Sequence, residues 1–146
     1  MQVPFDQVIP YPVAPTAVDA LWPHIEPMIR RAVNHEPMLA RLECAEDVRK
    51  KLVSGRYGLW LVLKAGEIKA AIVLSTREHS RGRVVCAEYA GGEGLAEWIE
   101  PLIEEVTEKA RAVDTRALMV TGREQWQGIL EKLGFKRVYS VWMKEI

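Results

Sequence analysis

Apolar side chains recur at intervals of three and four residues near the start of the sequence, which is the spacing of one helical face. Residues 16–34 show it first, with Thr16 in the position of an N-cap, and residues 45–53 show it again. Pro23 and Pro27 each remove a backbone donor from the first helix, so we expect that helix to be kinked or divided into shorter turns. The N-terminal part of the chain is therefore predicted to be mostly helical.

After residue 56 the pattern changes to strands, and later to helices that alternate with strands. Two strand-like runs are separated by residues 65–67, Ala-Gly-Glu, a sequence typical of a hairpin turn. Because Pro101 is tolerated best in the first turn of a helix, we expect the next helix to begin near Ile99 and residues 91–98 to form an extended loop. The predicted elements are strands at 57–64, 68–76 and 84–90, a helix at 99–113, a strand at 117–121, a helix at 124–133 and a final strand beginning at residue 135.

Composition and charge narrow the class of protein. The 146 residues are 49% hydrophobic and 27% charged, which predicts one domain over residues 1–146, large enough to bury about 68–70% of its unfolded surface. The 20 basic and 20 acidic side chains give no net charge, so strong nonspecific binding to nucleic acid or to an anionic membrane is not expected. No apolar run reaches the ~18 residues that a membrane span needs and no signal peptide is recognisable, so we expect a soluble cytoplasmic protein.

Cysteine and histidine side chains show no spacing typical of a metal site. Cys44 and Cys86 are far apart in sequence, and the three histidines are scattered through helix and loop patterns. Cys86 lies in an apolar strand with no histidine near it in sequence, which favours a buried, unreactive thiol over a nucleophile. We therefore expect no metal ion and two reduced thiols, with a single disulfide as the alternative.

The main signal for ligand binding is the change from strand to helix across three glycines. Residues 84–90 have the apolar pattern of a strand, Gly91, Gly92 and Gly94 follow, and helical spacing resumes after them. Glycines at such a junction let backbone N–H groups approach a ligand closely, and the start of the next helix adds unpaired donors and a partial positive charge. The pattern predicts a cradle for an anion such as pyrophosphate, although glycine pairs in such turns more often serve backbone geometry alone.

The order of elements, with a glycine loop after the third strand of the series, resembles the acetyltransferases of the GNAT superfamily. Residues 122–135 are similar to the last conserved segment of that family, and the ending Lys-Leu-Gly-Phe is its most recognisable part. The chain is also similar to small GNAT-like proteins of phages and prophages. The resemblance implies an α/β fold with a GNAT-like mixed, mostly antiparallel sheet flanked by helices, and transfer of an acyl group from acetyl-CoA to an amine.

In that superfamily the glycine loop and the following helix bind the pyrophosphate of acetyl-CoA, and the pantetheine arm lies where the strand before the loop diverges from its neighbour. The resemblance further implies that Arg123 and Trp126 flank the adenine or phosphate of CoA. It leaves the identity of the acceptor amine open. The residues implied to bind acetyl-CoA are Cys86, Ala87, Tyr89, Ala90, Gly91, Gly92, Glu93, Gly94, Leu95, Arg123 and Trp126.

The sequence departs from the family pattern in two ways. The family loop reads Arg/Gln-x-x-Gly-x-Gly/Ala, and the two possible alignments of its small residues place Gly91 or Tyr89 where arginine or glutamine is expected. Many members also use a tyrosine of the last helix as the acid that protonates the departing thiolate, and Leu130 occupies that position. Backbone donors would then have to hold the pyrophosphate beside the negative charge of Glu93, and Tyr139, Tyr89 or water would have to supply the proton.

Acyl transfer to an amine requires a group that accepts the amine proton and donors that polarise the thioester carbonyl. Glu88 is the preferred base, because it stands at the end of the strand before the loop, where some family members carry a catalytic glutamate. The alternative is a solvated carboxylate at the end of a strand. The backbone N–H groups of residues 86–89 are the candidate oxyanion donors. Glu88 and Tyr139 are thus the predicted catalytic residues.

A second function is open from the sequence alone. Loss of both the loop arginine or glutamine and the last-helix tyrosine favours a non-catalytic GNAT-like module, which binds CoA or contacts a protein partner through its N-terminal helices. Residues 135–146 are expected to form one long strand without a closing hairpin. Because an unpaired strand at a sheet edge can pair with another chain, a homodimer is a further expectation.

Overall fold

A computed structural model describes residues 7–146, and its five strands form one sheet. The strands are β1 Ile9–Val13, β2 Gly58–Lys64, β3 Glu67–His79, β4 Gly82–Gly92 and β5 Thr115–Val120. They lie side by side in chain order, β1 to β4 antiparallel to their neighbours and β5 parallel to β4. The predicted mixed, mostly antiparallel sheet is confirmed.

Helices cover both faces of the sheet. They are α1 Val18–Val33, α2 Pro37–Ala40, α3 Ala45–Val53, α4 Leu95–Arg111 and α5 Gln127–Lys132. Single turns of 3₁₀ helix precede α1 and α5, at Pro15–Ala17 and Glu124–Trp126. α1 and α3 pack on one face and α4 packs on the other. Within residues 7–146, no helix is both long and apolar enough to cross a membrane.

The two central strands carry a core on each face, because successive side chains of a strand point to opposite sides. On β2, Leu59 and Leu61 pack against the cluster formed by α1 and α3, whereas Trp60 and Val62 pack against α4. All four side chains are at most 7% exposed. The middle of the sheet is therefore buried on both faces.

Two predicted elements of the N-terminal half are confirmed. α3 covers residues 45–53, and its inward side chains Val48 and Leu52 are buried. The hairpin between β2 and β3 turns at Ala65 and Gly66, which both have positive φ, as a tight two-residue hairpin loop requires.

The predictions for α1 and α4 need correction. α1 is one helix that contains both Pro23 and Pro27, so the expected division into shorter turns is wrong, and Thr16 lies in the preceding 3₁₀ turn rather than at the N-cap. Burial of one α1 face on the sheet offsets the two missing backbone bonds. α4 begins at Leu95, four residues before the predicted start, so Pro101 lies inside it. Its buried stripe begins at Trp98, and that packing extends the helix toward the glycines.

The edges of the sheet also differ from the prediction. β1 pairs with β2 from Ile9 with Leu63 to Val13 with Leu59, although the sequence pattern indicated no strand before residue 57. Its two prolines are tolerated because an edge strand has one side without a ladder. At the other end, residues 135–146 contain no strand, so the predicted final strand is wrong. These residues follow α5 in the chain and do not pair with β5.

Candidate active site

β4 diverges from β5 partway along its length. The two strands pair from Arg83 with Thr115 to Ala87 with Val120, where β5 ends, whereas β4 continues to Gly92. On its other side, β4 stays paired with β3 as far as Gly92. Beyond Ala87, the edge of β4 that faced β5 therefore has no strand partner within residues 7–146, and its backbone groups border the gap between the two strands.

A β-bulge at Glu88 lies where the two strands separate. Val73 pairs with Tyr89 and Leu74 pairs with Ala87, so Glu88 is one residue more than β3 can match. Bulges interrupt the regular ladder and re-aim neighbouring side chains, and they are common beside active sites. The predicted base is therefore the residue at which the geometry of β4 changes.

The Glu88 carboxylate is held by two neighbours on β3. Ser75 Oγ donates a 2.5 Å hydrogen bond to Glu88 Oε1, and Arg77 Nη2 lies 3.6 Å from the same oxygen. The side chain of Glu88 is 24% exposed. Ser75 is two residues from Val73, which packs against α1 and α3, so the carboxylate lies on that face of the sheet. Glu88 is thus oriented at the point of divergence and is not a freely solvated carboxylate.

Met119 on β5 connects Tyr139 to the same region. Its Sδ lies 3.6 Å from the Tyr139 hydroxyl oxygen, 3.9 Å from Arg77 Nη1 and 4.0 Å from Cys86 Sγ. Because Arg77 also contacts Glu88, one guanidinium lies between the Glu88 carboxylate and the sulfur beside Tyr139. The structure therefore brings both predicted catalytic side chains to one end of the gap.

The Cys86 side chain is only 2% exposed. Burial raises the pKa of its thiol, and the charge of Glu88 adds to this, against the opposite effects of Arg77 and Ser75. A raised pKa lowers the fraction of thiolate, which is the reactive form.

Within residues 7–146, His, Cys, Asp and Glu side chains form no group of three that could hold a metal ion.

The three glycines occupy different environments. A Cβ on Gly91 would lie 2.3 Å from the carbonyl oxygen of Met28 in α1, and a Cβ on Gly92 would lie 2.3 Å from the carbonyl oxygen of Lys69. Both glycines belong to β4, and close backbone packing accounts for each of them. Gly94 alone lies in the junction between β4 and α4.

Gly94 is the N-cap of α4, with a φ of +74° in the left-handed region. Its carbonyl accepts a 2.9 Å bond from the Glu97 N–H, whereas the N–H groups of Gly94 and Leu95 have no partner in the part of the chain that the structure describes. The Glu93 carbonyl accepts a 2.8 Å hydrogen bond from Trp98 Nε1, which links the junction to the first turns of α4. Such donors at the positive end of a helix dipole suit an anion.

A cavity of about 300 Å³ opens beside this junction. Its lining includes Lys64, Lys69 and Glu97, and Lys64 Nζ pairs with the Glu97 carboxylate. Lys69 Nζ pairs with Glu67 at 3.0 Å. Both lysines are therefore paired with carboxylates, and the lining of the cavity also includes Glu93 and Gly94.

Arg123 and Trp126 lie beyond the end of β5. The guanidinium carbon of Arg123 is 5.5 Å from the centroid of the Trp126 ring, within the range of a cation–π contact. A Cβ on Gly122 would lie 2.8 Å from Trp126 Cε3, so the indole rests on the backbone of Gly122. The indole also lines an apolar cavity of about 50 Å³ between the sheet, α4 and α5. Other residues that line this cavity are Ala87, Ala90, Leu95 and Leu130.

A carboxylate that the sequence pattern did not indicate lies on the α1 and α3 face. Glu43 accepts hydrogen bonds from the Tyr89 hydroxyl at 2.6 Å and from the Tyr57 hydroxyl at 3.0 Å, and Lys51 Nζ also contacts it. The Glu43 side chain is 11% exposed. The ring of Tyr89, one residue after the bulge, is thereby directed toward the N-terminal helices.

The protonation of this cluster follows from its contacts. Burial alone would raise the pKa of the Glu43 carboxyl, but hydrogen bonds from Lys51, Tyr89 and Tyr57 outweigh burial and hold that pKa below its ordinary value. Burial and the Glu43 carboxylate raise the pKa values of Tyr57 and Tyr89. The cluster is therefore an ionised carboxylate that accepts from two neutral phenols.

No signal in the sequence marks Glu43. Its partners lie 8, 14 and 46 residues away, at Lys51, Tyr57 and Tyr89. Only the packing of α3 against the sheet brings these four side chains together. Local spacing could not have predicted such a contact set.

Known proteins identify this architecture. No family model and no curated protein matches the sequence. A GCN5-related N-acetyltransferase from Ralstonia eutropha JMP134 has a similar structure, with a TM-score of 0.69 and 16% identity over 96% of this chain and 99% of that chain. The chain has the GNAT fold.

Two further GNAT structures show the range of the similarity. A ribosomal-protein-alanine N-acetyltransferase from Brucella melitensis biovar Abortus 2308 matches with a TM-score of 0.69 and 9% identity, over 96% of this chain and 99% of that chain. An aminoglycoside N-acetyltransferase, AAC(6')-Iy in complex with CoA, matches with a TM-score of 0.66 and 15% identity over 99% of both chains. The expected likeness to phage proteins stays a prediction.

Proposed function

We propose that residues 1–146 act as one GNAT-like domain that transfers an acetyl group from acetyl-CoA to the amine of an acceptor. The observation that carries this proposal is the divergence of β4 from β5 at the bulge of Glu88. It supports the proposal because a carboxylate, free backbone groups and an anion-binding helix start follow one another along a single stretch of chain. The CoA bound to a structure with the same fold supports the choice of donor.

The donor fits the candidate site in three parts. The N–H groups of Gly94 and Leu95 would hold the pyrophosphate, in place of the arginine or glutamine side chain of the family loop. The gap beyond Ala87 would take the pantetheine arm. Arg123 and Trp126 would meet the adenine or phosphate from the side of β5.

In the proposed reaction, Glu88 takes the proton of the acceptor amine, directly or through water, and the amine nitrogen attacks the thioester carbonyl carbon. Backbone N–H groups at the bulge stabilise the negative charge that develops on the carbonyl oxygen. The carbon–sulfur bond then breaks, so the acetyl group stays on nitrogen and CoA leaves as a thiolate. The Tyr139 hydroxyl or water returns a proton to that sulfur.

Tyr89 is a poor candidate for the acid. Its hydroxyl donates to the Glu43 carboxylate, and burial together with this bond raises its pKa, which makes the proton harder to remove. Leu130, at the position of the usual tyrosine acid, lines the apolar cavity and has no proton to give. Tyr139, next to Met119, is therefore the side chain that we propose for this role.

A non-catalytic module is the second candidate. It is favoured by Leu130, which stands where the family pattern has a tyrosine acid. It is also favoured by the lysines beside the Gly94 junction, because they are paired with carboxylates and do not replace the missing loop arginine or glutamine. Such a module would bind CoA or a protein partner without transferring an acyl group. A homodimer is part of either proposal, and a cytoplasmic location stays a prediction from the sequence.

An assay of thiol release separates the two candidates. Purified protein is mixed with acetyl-CoA and one amine at a time: aminoglycosides, peptides with an N-terminal alanine, and simple polyamines. The first two classes are chosen because proteins with this fold carry those acceptors in their names. Release that needs both protein and amine supports the enzyme. Saturable acetyl-CoA binding without release by any amine supports the non-catalytic module.

A further inference from the structure

The guanidinium of Arg77 lies beside the proposed base with most of its donors unused. Its only hydrogen bond within residues 7–146 runs from Nη1 to Met119 Sδ at 3.9 Å, and a thioether sulfur is a weak acceptor. Its Nη2 lies 3.6 Å from Glu88 Oε1, which is too long for a hydrogen bond. Arg83, in contrast, donates to a carboxylate and to a backbone carbonyl. Arg77 is therefore an arginine with donors available to a ligand.

The carboxylate of Glu88 also has one oxygen available. Ser75 Oγ donates to Oε1 and Arg77 lies nearest to the same oxygen, whereas no group in the part of the chain that the structure describes donates to Oε2. The bond from Ser75 limits rotation of the carboxylate, so Oε2 keeps a defined position. Glu88 thus presents one free acceptor beside the free donors of Arg77.

Both groups lie on the side of the gap from which an acceptor can approach. Arg77 is two residues from Ser75 on β3, so the two side chains share the face of α1 and α3. The Gly94 junction and the apolar cavity, which are proposed to hold CoA, lie toward α4. The side chain of Arg77 is 47% exposed, so a molecule that reaches Glu88 from solvent also meets its guanidinium.

We propose that the acceptor is a free α-amino acid, whose amine binds Glu88 Oε2 and whose carboxylate binds the guanidinium of Arg77; this inference rests on the proposed function. The amine and the carboxylate of an α-amino acid are joined through one carbon by bonds of about 1.5 Å, which places nitrogen and the nearer oxygen roughly 3 Å apart. The Glu88 carboxylate and the Arg77 guanidinium are 3.6 Å apart, so two hydrogen bonds of ordinary length connect the pairs of groups.

The charges on this side of the gap fit a zwitterion better than a polycation. Glu88 and Arg77 carry opposite charges, and a second carboxylate on the same face, Glu43, is paired with Lys51. An acceptor with several ammonium groups meets two cations here and no carboxylate without a neighbouring cation. An α-amino acid carries one charge of each sign, and the site places each of them opposite its complement.

The reaction changes only one of the two contacts. An ammonium and acetyl-CoA give an amide, the thiol of CoA and one proton, which passes through Glu88 to solvent. The carboxylate is unchanged, so the N-acetyl product keeps its pairing with Arg77 and loses the charged hydrogen bond to Glu88. Charged hydrogen bonds are about twice as strong as neutral ones, and losing one favours release of the product.

Kinetics with matched acceptors test the role of Arg77. The common L-amino acids are each compared with the corresponding amide, which keeps the amine and the side chain but has no carboxylate. Arg77→Ala should lower kcat/KM for an amino acid by about ten- to a hundredfold, mainly through KM, and should change the value for its amide by less than about threefold. Arg77→Lys, which keeps the charge, should restore part of the loss. Arg81→Ala, at an exposed arginine of the β3–β4 turn, is the matched control and should behave as the wild type.

Two kinetic results would overturn the proposal. One is transfer to other amines but to no free amino acid. The other is an equal effect of Arg77→Ala on an amino acid and on its amide, because a contact with the acceptor carboxylate cannot act on an acceptor that lacks it. The ratio of the two effects is used because the amine of an amide is less basic than that of the amino acid, and this difference cancels between the wild type and the variant.

Binding without chemistry separates this inference from the proposed function. Saturation-transfer difference NMR detects the same L-amino acids on the full chain, alone and with added CoA. We expect signals with the wild type and with Arg81→Ala, and their loss with Arg77→Ala. If no amine accepts an acetyl group, the proposed function fails, and signals that require Arg77 still support the amino-acid site. Absence of these signals, or signals that persist in Arg77→Ala, would contradict it.

Discussion

The hydroxyl of Tyr89 donates a 2.6 Å hydrogen bond to the carboxylate of Glu43, which joins the bulge of β4 to the segment before α3. Tyr89 follows Glu88 directly, so the bond fixes the backbone beside the proposed base. Glu43 also accepts from Tyr57 on the strand side and from Lys51 of α3. One carboxylate therefore ties the N-terminal helices to the strand that carries the candidate site.

Glu43→Gln should reduce the free energy of unfolding at pH 7 by roughly 1–3 kcal/mol, because a neutral amide no longer pairs with Lys51 and presents donors to two phenol groups. The folded-state pKa of Glu43 is below its ordinary value of 4.5, so its stabilising effect is present above that value and is lost as pH falls through the folded pKa. Urea unfolding between pH 7 and pH 2 measures both effects.

The matched control is Glu104→Gln, at an exposed position of α4. It should change the stability at pH 7 by no more than a few tenths of a kcal/mol, as is usual for surface positions. Equal acid sensitivity in the wild type and in Glu43→Gln would mean that the cluster contributes nothing to the pH dependence.

Tyr89→Phe should change the alkaline side of the stability profile. Burial and Glu43 raise the folded-state pKa of Tyr89 above its ordinary value of 10.0, so the stabilising effect is complete below pH 10 and declines as pH rises further. The variant should lose roughly 0.5–1.5 kcal/mol at pH 7 and should fall less steeply above pH 10 than the wild type. Tyr11→Phe, at an exposed tyrosine of β1, is the control and should change the stability at pH 7 by no more than a few tenths of a kcal/mol.

Glu88→Gln should lower kcat/KM for acetyl transfer by about 10²–10⁴, the usual contribution of a general base. Glu88→Asp, which keeps a carboxylate, should retain part of the wild-type rate. Binding of acetyl-CoA, measured in parallel, should be little changed in both variants. A wild-type rate in Glu88→Gln would remove this residue from the mechanism.

Gly91→Ala should destabilise the fold by about 1–3 kcal/mol, because the new Cβ would lie 2.3 Å from the carbonyl oxygen of Met28 and α1 would have to move. Gly128→Ala is the comparison. Gly128 lies in α5, and a Cβ added there would meet no atom within 4 Å, so alanine should stabilise by roughly 0.5–1 kcal/mol. Thermal unfolding of the two variants should shift in opposite directions.

The sequence predicted the elements whose side chains keep a regular period. α3 and the β2–β3 hairpin are read from spacing and turn residues alone, whereas the mixed, mostly antiparallel sheet was expected from the resemblance to the GNAT superfamily. The start of α4 was missed because the prediction placed Pro101 in the first turn. The helix begins earlier, after Gly94 caps it in a left-handed conformation, and Pro101 lies inside it. β1 was missed because its prolines disfavour a strand except at an edge.

The residues of the candidate site also fall into those that the sequence indicated and those that it did not. Glu88 and the Gly94 junction could be proposed from the strand-to-helix change, whereas Glu43 depends on contacts across up to 46 residues of sequence. The three glycines of the pattern also have different roles, since Gly91 and Gly92 are required by close backbone packing and only Gly94 lies in the junction. Residues 135–146 have a strand-like pattern but form no strand, because a strand also needs a ladder with a neighbour and these residues do not pair with β5.

Gly94→Glu should abolish acetyl-CoA binding, because it adds a carboxylate and its bulk beside the N–H groups proposed to hold the pyrophosphate. Gly55→Glu is the matched control. Gly55 has a similar positive φ of 83° at the end of α3, away from β4, so it carries the same backbone strain and the same added charge. Binding that survives Gly94→Glu would place the pyrophosphate elsewhere.

Isothermal titration of the full chain with acetyl-CoA, and separately with CoA, tests the central claim most directly. The protein is first checked for copurified ligand by mass spectrometry. We expect saturable binding at one site per chain, with a Kd in the micromolar range. Such a Kd corresponds to a binding free energy of about –8 kcal/mol. A folded, ligand-free protein that shows no saturable binding of either compound would contradict the proposed donor site along β4.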